Sequence, residues 1–509
     1  MKSKGLVAAL AALIAGAGLG LAPTHAAGTL TNDCIDSVPE PETPDPVSIC
    51  YSLYQPADAP VPLIFHSHGW GGSRTNEEGS FANWMNAGFG VLSFDQRGFG
   101  ESGGAAHVQN PAYEGKDVQA LVDLVAGLDW VEQDSPGDPV IGAIGGSYGG
   151  GYQFVGAFSE LDDRGGATRF DALAPEITWW DLQESLAPQA VVRTAWVSAL
   201  FATGVGSLPN EVRQAFVEGS ATGEWPDGSG PTGADMNGFF ERTGPKWHAT
   251  GHGGTAPAHQ LDIPVLFGQG MSDNLFNANQ GLQNWDAALT PAARAESIFV
   301  GYNGGHTLPN VLPPSGFPTG DPCSQIIGGN DFEALAIKFF TEKLKGGDAG
   351  LDSWYGTVNL ATVGGLCHQG LGTDAEYPIG TAVTTTAAGP PIHLQVASGP
   401  ITVAGVPSAT ADVTQLGVDG RAFFALSVGQ TPADALVVQD NVMPIHEHDA
   451  LPGERNHRTV ELPGVAVDVP AGQNLYLTIS AFSDMSFGHG SRVPGALQFE
   501  NLVVTVPKA

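Results

Sequence analysis

Residues Val140–Phe154 read VIGAIGGSYGGGYQF, and the architecture of the rest of the chain can be worked out from them. Val140-Ile141-Gly142-Ala143-Ile144 is continuously apolar rather than alternating, the pattern of a short strand covered on both faces of a parallel sheet. The bulky residues that resume at Tyr152 suit a helix. Between the two stands Ser147, hemmed in by Gly145, Gly146, Gly149 and Gly150. Passing from strand to helix through one residue forces that residue into a strained conformation, and only neighbours without side chains let the backbones approach. Gly145-x-Ser147-x-Gly149 therefore fits G-x-S-x-G, a nucleophile elbow. A plain glycine-rich turn is the competing reading in a chain of 509 residues with 70 glycines, so the partners of Ser147 must discriminate.

Upstream of the elbow, strand-like VPLIFHSH and FGVLSFDQ alternate with helix-like NEEGSFANWMNAG and GKDVQALVDLVAGLDWVEQ. Downstream, RFDALAPEI, IPVLFGQG and ESIFVGYN read as strands, and FEALAIKFFTEKLKGG as a closing amphipathic helix with Gly346 at its end. Such alternation predicts a parallel sheet with helices on both sides, and with the elbow it predicts an α/β-hydrolase core over residues 27–175 and 262–347. In residues 176–261 the strand signal vanishes in favour of helix-compatible runs with tryptophans and prolines, which predicts a helical cap over the carboxyl ends of the strands. From residue 354 to 509, short β-rich segments recur between glycines and prolines, the signature of a C-terminal β-sandwich.

The first 26 residues carry two lysines, an apolar stretch and small residues near Ala26, the plan of a secretory signal peptide. A secreted protein with an even number of cysteines is expected to form disulfides. Cys34–Cys50 and Cys323–Cys367 close the shorter loops, although the sequence permits three connectivities. Fifty-three acidic against 20 basic residues give a net charge of −33, a surface that repels nucleic acid and anionic membranes. With a charged fraction of only 14% and 42% hydrophobic residues, the chain is globular and not a disordered polyanion.

A serine hydroxyl is a poor nucleophile until an imidazole takes its proton and an acid orients that imidazole. In α/β-hydrolases those partners follow in the order Ser, acid, His. Asp273 comes directly after the strand IPVLFGQG, and His306 lies in the glycine-rich loop after SIFVGY. Neighbouring parallel strands bring both to the edge where Ser147 projects, so Ser147, Asp273 and His306 are the expected catalytic residues. The oxyanion donors are expected to be the backbone N–H groups of Tyr148 and of Trp70 in HSHGWGGS, with His66 and His68 structural. KWHATGHGGTAPAH holds His248, His252 and His259, and IHEHD holds His446, Glu447, His448 and Asp449. Neither has the spacing of a known zinc site, so no metal and no cofactor is expected.

FDQRGFGES (Phe94–Ser102), GGSYGG (Gly145–Gly150), PEITWWDLQESL (Pro175–Leu186) and GMSDNLF (Gly270–Phe276) resemble the X-Pro dipeptidyl-peptidase and cocaine-esterase family of serine hydrolases. VELPGVAVDVPAGQNLYLTIS is similar to that family's C-terminal jelly roll. The resemblance implies Ser147, Asp273 and His306 as the triad, Asp95 as structural, and esters or X-Pro peptides as small-molecule substrates. Trp70 stands about where relatives of the cocaine-esterase type have a tyrosine whose hydroxyl helps hold the oxyanion. Glu176, Trp179 and Trp180 are expected to bind substrate, with Glu176, Asp181 and Glu184 as candidates for holding a substrate's N-terminal amine. A secreted polymer-binding or wall-binding protein with a vestigial hydrolase domain is the competing class. The junction before the sandwich lacks a flexible linker, so the sandwich is expected to belong to the enzyme, fastened by Cys323–Cys367.

Overall fold

The computed structural model describes residues 28–308, 311–386, 389–448, 450–487 and 495–509. The expected signal peptide and Asp449 lie outside these residues. No helix among them is long and apolar enough to cross a membrane.

Ten strands form the main sheet: β1 (Thr29–Ser37), β2 (Val47–Gln55), β3 (Leu63–Ser67), β4 (Gly90–Phe94), β5 (Ile141–Gly146), β6 (Ala172–Glu176), β7 (Leu266–Gly270), β8 (Ile298–Tyr302), β9 (Thr357–Ala361) and β10 (Cys367–Gln369). Their order is β1-β2-β4-β3-β5-β6-β7-β8-β9-β10. From β4 to β9 neighbours run parallel, whereas β1, β2 and β10 pair antiparallel, so the sheet is mixed and not wholly parallel as expected. The reason lies in the connections: β1 and β2 are joined by a short loop that permits only a hairpin, while each parallel pair is bridged by a longer crossover. Across the hairpin Cys34 faces Cys50 directly, and the two are bonded with their Cα atoms 3.9 Å apart.

The continuous apolar strands are buried on both faces. Helices α1 (Glu114–Ala126) and α2 (Tyr148–Asp163) pack on one face with Phe65, Ile141, Ala143, Phe267 and Phe299. On the other face Ile64, Val91, Leu266 and Val300 meet Phe339 and Phe340 of the closing helix. Between β6 and β7 the chain is helical, with α3 (Leu182–Leu186), α4 (Thr194–Gly204), α5 (Asn210–Thr222), α6 (Met236–Phe240) and α7 (Pro245–Ala249), and the closing helix is α8 (Phe332–Lys345).

Two antiparallel sheets follow. One has the order Arg455–Glu461, Ser408–Gln415, Leu497–Lys508, Ile401–Gly405, Val465–Val469, and the other centres on Asn474–Ser480 and Gly420–Gly429. Strand Ser408–Gln415 alternates buried with part-exposed residues, and Val413 and Phe499 of one sheet share an apolar core with Phe424 and Leu477 of the other. The first of these strands is Thr373–Ile379. Residues 357–369 belong to the main sheet instead, because β9 finds its hydrogen bonds on β8 and β10 pairs with β9. Cys323–Cys367 therefore ties the short helix Pro322–Ile327 to the edge of the main sheet, and does not staple the C-terminal sheets to the loop that carries His306.

Candidate active site

Ser147 sits between β5 and α2 with φ 58° and ψ −122°, a left-handed conformation in a residue other than glycine. The glycines around it are sterically required: a Cβ on Gly149 would lie 2.4 Å from the Ser67 carbonyl oxygen, and one on Gly145 would lie 2.5 Å from that of Gly149. Strain of this kind is of order 1–3 kcal/mol and persists only where the surroundings impose it. Here the Ser147 N–H donates to the Glu176 carbonyl at 2.9 Å, and the Ser147 carbonyl accepts from Gly150 and Gly151.

Asp273 and His306 emerge at the same edge, in the loops after β7 and β8. Asp273 is fully buried. Its Oδ1 accepts from the N–H groups of Leu275 (3.0 Å) and Phe276 (2.6 Å). Its Oδ2 accepts from the His306 N–H (2.9 Å) and from His306 Nδ1–H (2.6 Å). A carboxylate at Nδ1 sets the tautomer and leaves Nε2 as the proton acceptor. No hydrogen bond joins Ser147 Oγ to His306 Nε2 in this structure, and such contacts commonly tighten only with substrate bound.

The glycine-rich loop after β3 passes Ser147 closely, with the Cβ position of Gly69 at 3.8 Å from the Ser147 Cβ. Among the described residues neither the Tyr148 nor the Trp70 N–H has an acceptor. The Trp70 indole is already engaged: Nε1 donates to the Leu200 carbonyl at 2.8 Å, and the ring meets Tyr148 and Phe99 edge-on. His66 packs half-buried against Ser93, and desolvation pushes it down to about 4, while His68 Nε2 accepts from the Gln96 N–H. Asp95 pairs with the buried Arg74 and accepts from the Glu101 N–H, a structural role.

Above Ser147 lies an apolar cavity of about 1070 Å³ including its mouth, walled by Trp179, Leu186, Phe201, Phe216, Trp225 and Phe240 among others. Phe201 of α4 stacks on Phe216 of α5 with centroids 3.7 Å apart. Among the described residues Glu224 is the one charged member of the lining, and Arg421 lies 3.4 Å from its carboxylate. Of the residues expected to touch substrate, Trp179 lines the cavity and Trp180 does not. Glu176 does not either: it ends β6 and accepts from the Tyr302 hydroxyl at 2.5 Å, with burial pushing its carboxyl up. Asp181 caps α3 and pairs with Lys246, and Glu184 faces a separate recess beside Arg193.

Three further residues bear on the Asp273 loop, and of these only Asn274, within GMSDNLF, lies in a motif read from the sequence. Asn274 Nδ2 donates to the Leu308 carbonyl (2.7 Å) and to Asp440 Oδ2 (3.0 Å), and its Oδ1 accepts from Trp196 Nε1 (2.8 Å). Arg193 is buried, which pushes its guanidinium down to about 10, and it donates to the Asn274 carbonyl. Asn441, from the C-terminal part, donates to the Asp273 carbonyl at 2.6 Å. The Asp273 loop is thus held by the helical segment between β6 and β7, by the loop after β8 and by the C-terminal part together.

The sequence profile described as X-Pro dipeptidyl-peptidase (S15 family) matches residues 45–307, from just before β2 to just past His306. An uncharacterized 31.7 kDa protein of Escherichia coli is 38% identical over 98 residues, 19% of this chain and 32% of the relative. The chain spans about a third of the length of the curated relatives it matches. A CocE/NonD family hydrolase from Staphylococcus aureus superposes with a TM-score of 0.64 at 12% identity, covering 96% of this chain and 99% of that one. An aminopeptidase from a marine sediment archaeon, Thaumarchaeota archaeon, does so with a TM-score of 0.64 at 13% identity, covering 97% and 99%. Together with the sheet described above, these likenesses give the chain the α/β-hydrolase fold.

Proposed function

The chain belongs to the X-Pro dipeptidyl-peptidase (S15) family, and from that premise we propose that it is a serine hydrolase that cleaves carboxylic esters with apolar acyl groups through an acyl-enzyme on Ser147. Ser147 Oγ attacks the ester carbonyl while His306 Nε2 takes its proton, and Asp273 steadies the imidazolium that forms. The N–H groups of Tyr148 and Trp70 hold the oxyanion. Collapse expels the alcohol, which receives the proton from His306. Water then attacks the acyl-enzyme, His306 again serving as base, and the carboxylic acid leaves as the C–Oγ bond breaks and Ser147 Oγ recovers the proton from His306.

The observation that carries this reading is Ser147 at the floor of an apolar cavity, in a strained turn that holds its side chain out of the helix. Cleavage of X-Pro peptides needs a carboxylate for a protonated N-terminus. Glu224, the one acidic group of the lining among the described residues, already has Arg421 beside it, and Glu176 turns into the sheet edge; both favour esters. Residues 176–261 act as a cap over the acyl group, with Trp179 as a wall. The C-terminal sheets form a jelly roll that braces the acid loop. Residues 1–26 direct secretion, a reading that the two disulfides support.

The test is a series of p-nitrophenyl esters of increasing acyl length beside dipeptidyl-proline amides, with wild type and Ser147→Ala. Turnover of esters that rises with acyl length and is lost in the variant is expected, as is fluorophosphonate labelling that requires Ser147 and His306. Cleavage of the proline amides alone would reverse the substrate assignment. Absence of both labelling and turnover would favour a binding protein.

A further inference from the structure

Helix α2 begins just after Ser147, and near its other end four metal-ligating side chains converge. The Asp162 carboxylate meets His248 Nδ1 at 2.8 Å, His252 Nε2 at 3.2 Å and His259 Nδ1. Asp162, His248 and His252 each offer one ligand atom within 4.8 Å of the other two. The histidines come from three different local structures: α7, the left-handed turn Gly251–Gly254 in which His252 has φ 53°, and the irregular segment after it. The His259 N–H donates to the His248 carbonyl at 3.0 Å, which closes the segment into a ring around Asp162. His248 stacks on Phe158 of α2 with centroids 4.6 Å apart, and His252 on Trp247 at 5.0 Å, so the rings cannot turn away freely.

A carboxylate offers about four lone-pair sites and can accept all three rings, but three protonated imidazoles this close would repel one another. Neutral imidazoles each offer a lone pair, and three of them with one carboxylate make a complete nitrogen and oxygen set for a tetrahedral dication. With metal–ligand bonds of about 2.0–2.2 Å, neighbouring ligand atoms stand about 3.3 Å apart, so Asp162, His248 and His252, already within 4.8 Å of one another, have to close in slightly, and His259 has to swing in from the Asp162 carboxylate as the fourth ligand. The geometry points to a divalent transition-metal site of the Zn²⁺ type, built by Asp162, His248, His252 and His259, that fastens the end of the cap segment to the helix led by Ser147. All four ligands come from the protein, as in a structural rather than a catalytic site. The other such cluster, Asp419 with His446 and His448, is a poor competitor because the Arg421 guanidinium lies 3.2 Å from Asp419.

The experiment takes the tag-free full chain, strips it with a chelator, reloads it with Zn²⁺ and counts bound metal by mass spectrometry while following thermal melting. About one Zn²⁺ per chain is expected, with a melting temperature several degrees above that of the stripped protein. His252→Asn with His259→Ala should weaken zinc binding at least about tenfold and abolish the thermal shift, while His446→Ala should leave both intact. Asparagine is chosen at 252 because it tolerates the left-handed backbone, and His248 is left alone because it is buried. Co²⁺ in the wild-type chain gives a readout independent of any variant, the intense visible bands of a tetrahedral nitrogen and oxygen site. Failure of the wild type to retain zinc, binding unaffected by the double variant, or a pale octahedral Co²⁺ spectrum would each overturn the assignment.

Discussion

Asn441 offers the sharpest test of the idea that the C-terminal sheets brace the acid loop. Its side chain is buried, and Nδ2 donates to the Asp273 carbonyl at 2.6 Å across 168 residues of sequence. Asn441→Ala leaves that buried carbonyl without this donor, at a cost of about 1–3 kcal/mol. At about 1.36 kcal/mol per tenfold, kcat should fall roughly 5- to 150-fold if the whole cost falls on the loop that aligns His306. KM should change little, because Asn441 does not line the cavity. The assay is kcat and KM on p-nitrophenyl butyrate beside thermal melting, with Asn474→Ala as control, since Asn474 bonds the Gln430 carbonyl within the C-terminal sheets. Wild-type kcat combined with a lowered melting temperature would refute the reasoning, for it would mean that the bond attaches the sheets without positioning the acid.

Asp273→Asn presents an amide N–H₂ to the His306 donors and should lower kcat by about 10⁴, measured on the same ester; a loss below about tenfold would remove Asp273 from the mechanism. Trp70→Phe should keep the rate within about threefold while lowering the melting temperature, because the indole N–H is bound to Leu200; a loss of a hundredfold or more would make the indole an oxyanion donor. Burial, aided by Asp134 and Asp138, pushes the Asp171 carboxyl up to about 7 from an ordinary value of 3.8. The folded state then binds the extra proton, so this group makes stability fall as pH rises from about 4 to about 7. Asp171→Asn should therefore melt higher than wild type at pH 8 and like it at pH 4, and an equal difference at both would contradict the assignment.

Local physics made a large part of this protein legible in its sequence. A strand covered on both faces must be continuously apolar, and a strand-to-helix turn around Ser147 admits no side chain at Gly145 or Gly149, so both features are written in consecutive residues. Asp273 and His306 could be nominated because each follows its strand within a few positions, and their side chains do meet at 2.6 Å. Cys34 and Cys50 could be paired because they close a short loop, and the structure adds that a hairpin sets them face to face. Only the tertiary structure decided that Glu176 turns to Tyr302 instead of the cavity, and that residues 357–369 complete the main sheet. It alone sets Asp162 against His259 across 97 residues and Asn441 against Asp273. Contacts of that kind depend on which way a strand end faces and which loop packs over it. These are properties of the assembled layers, and they leave no period or spacing in the chain from which to read them.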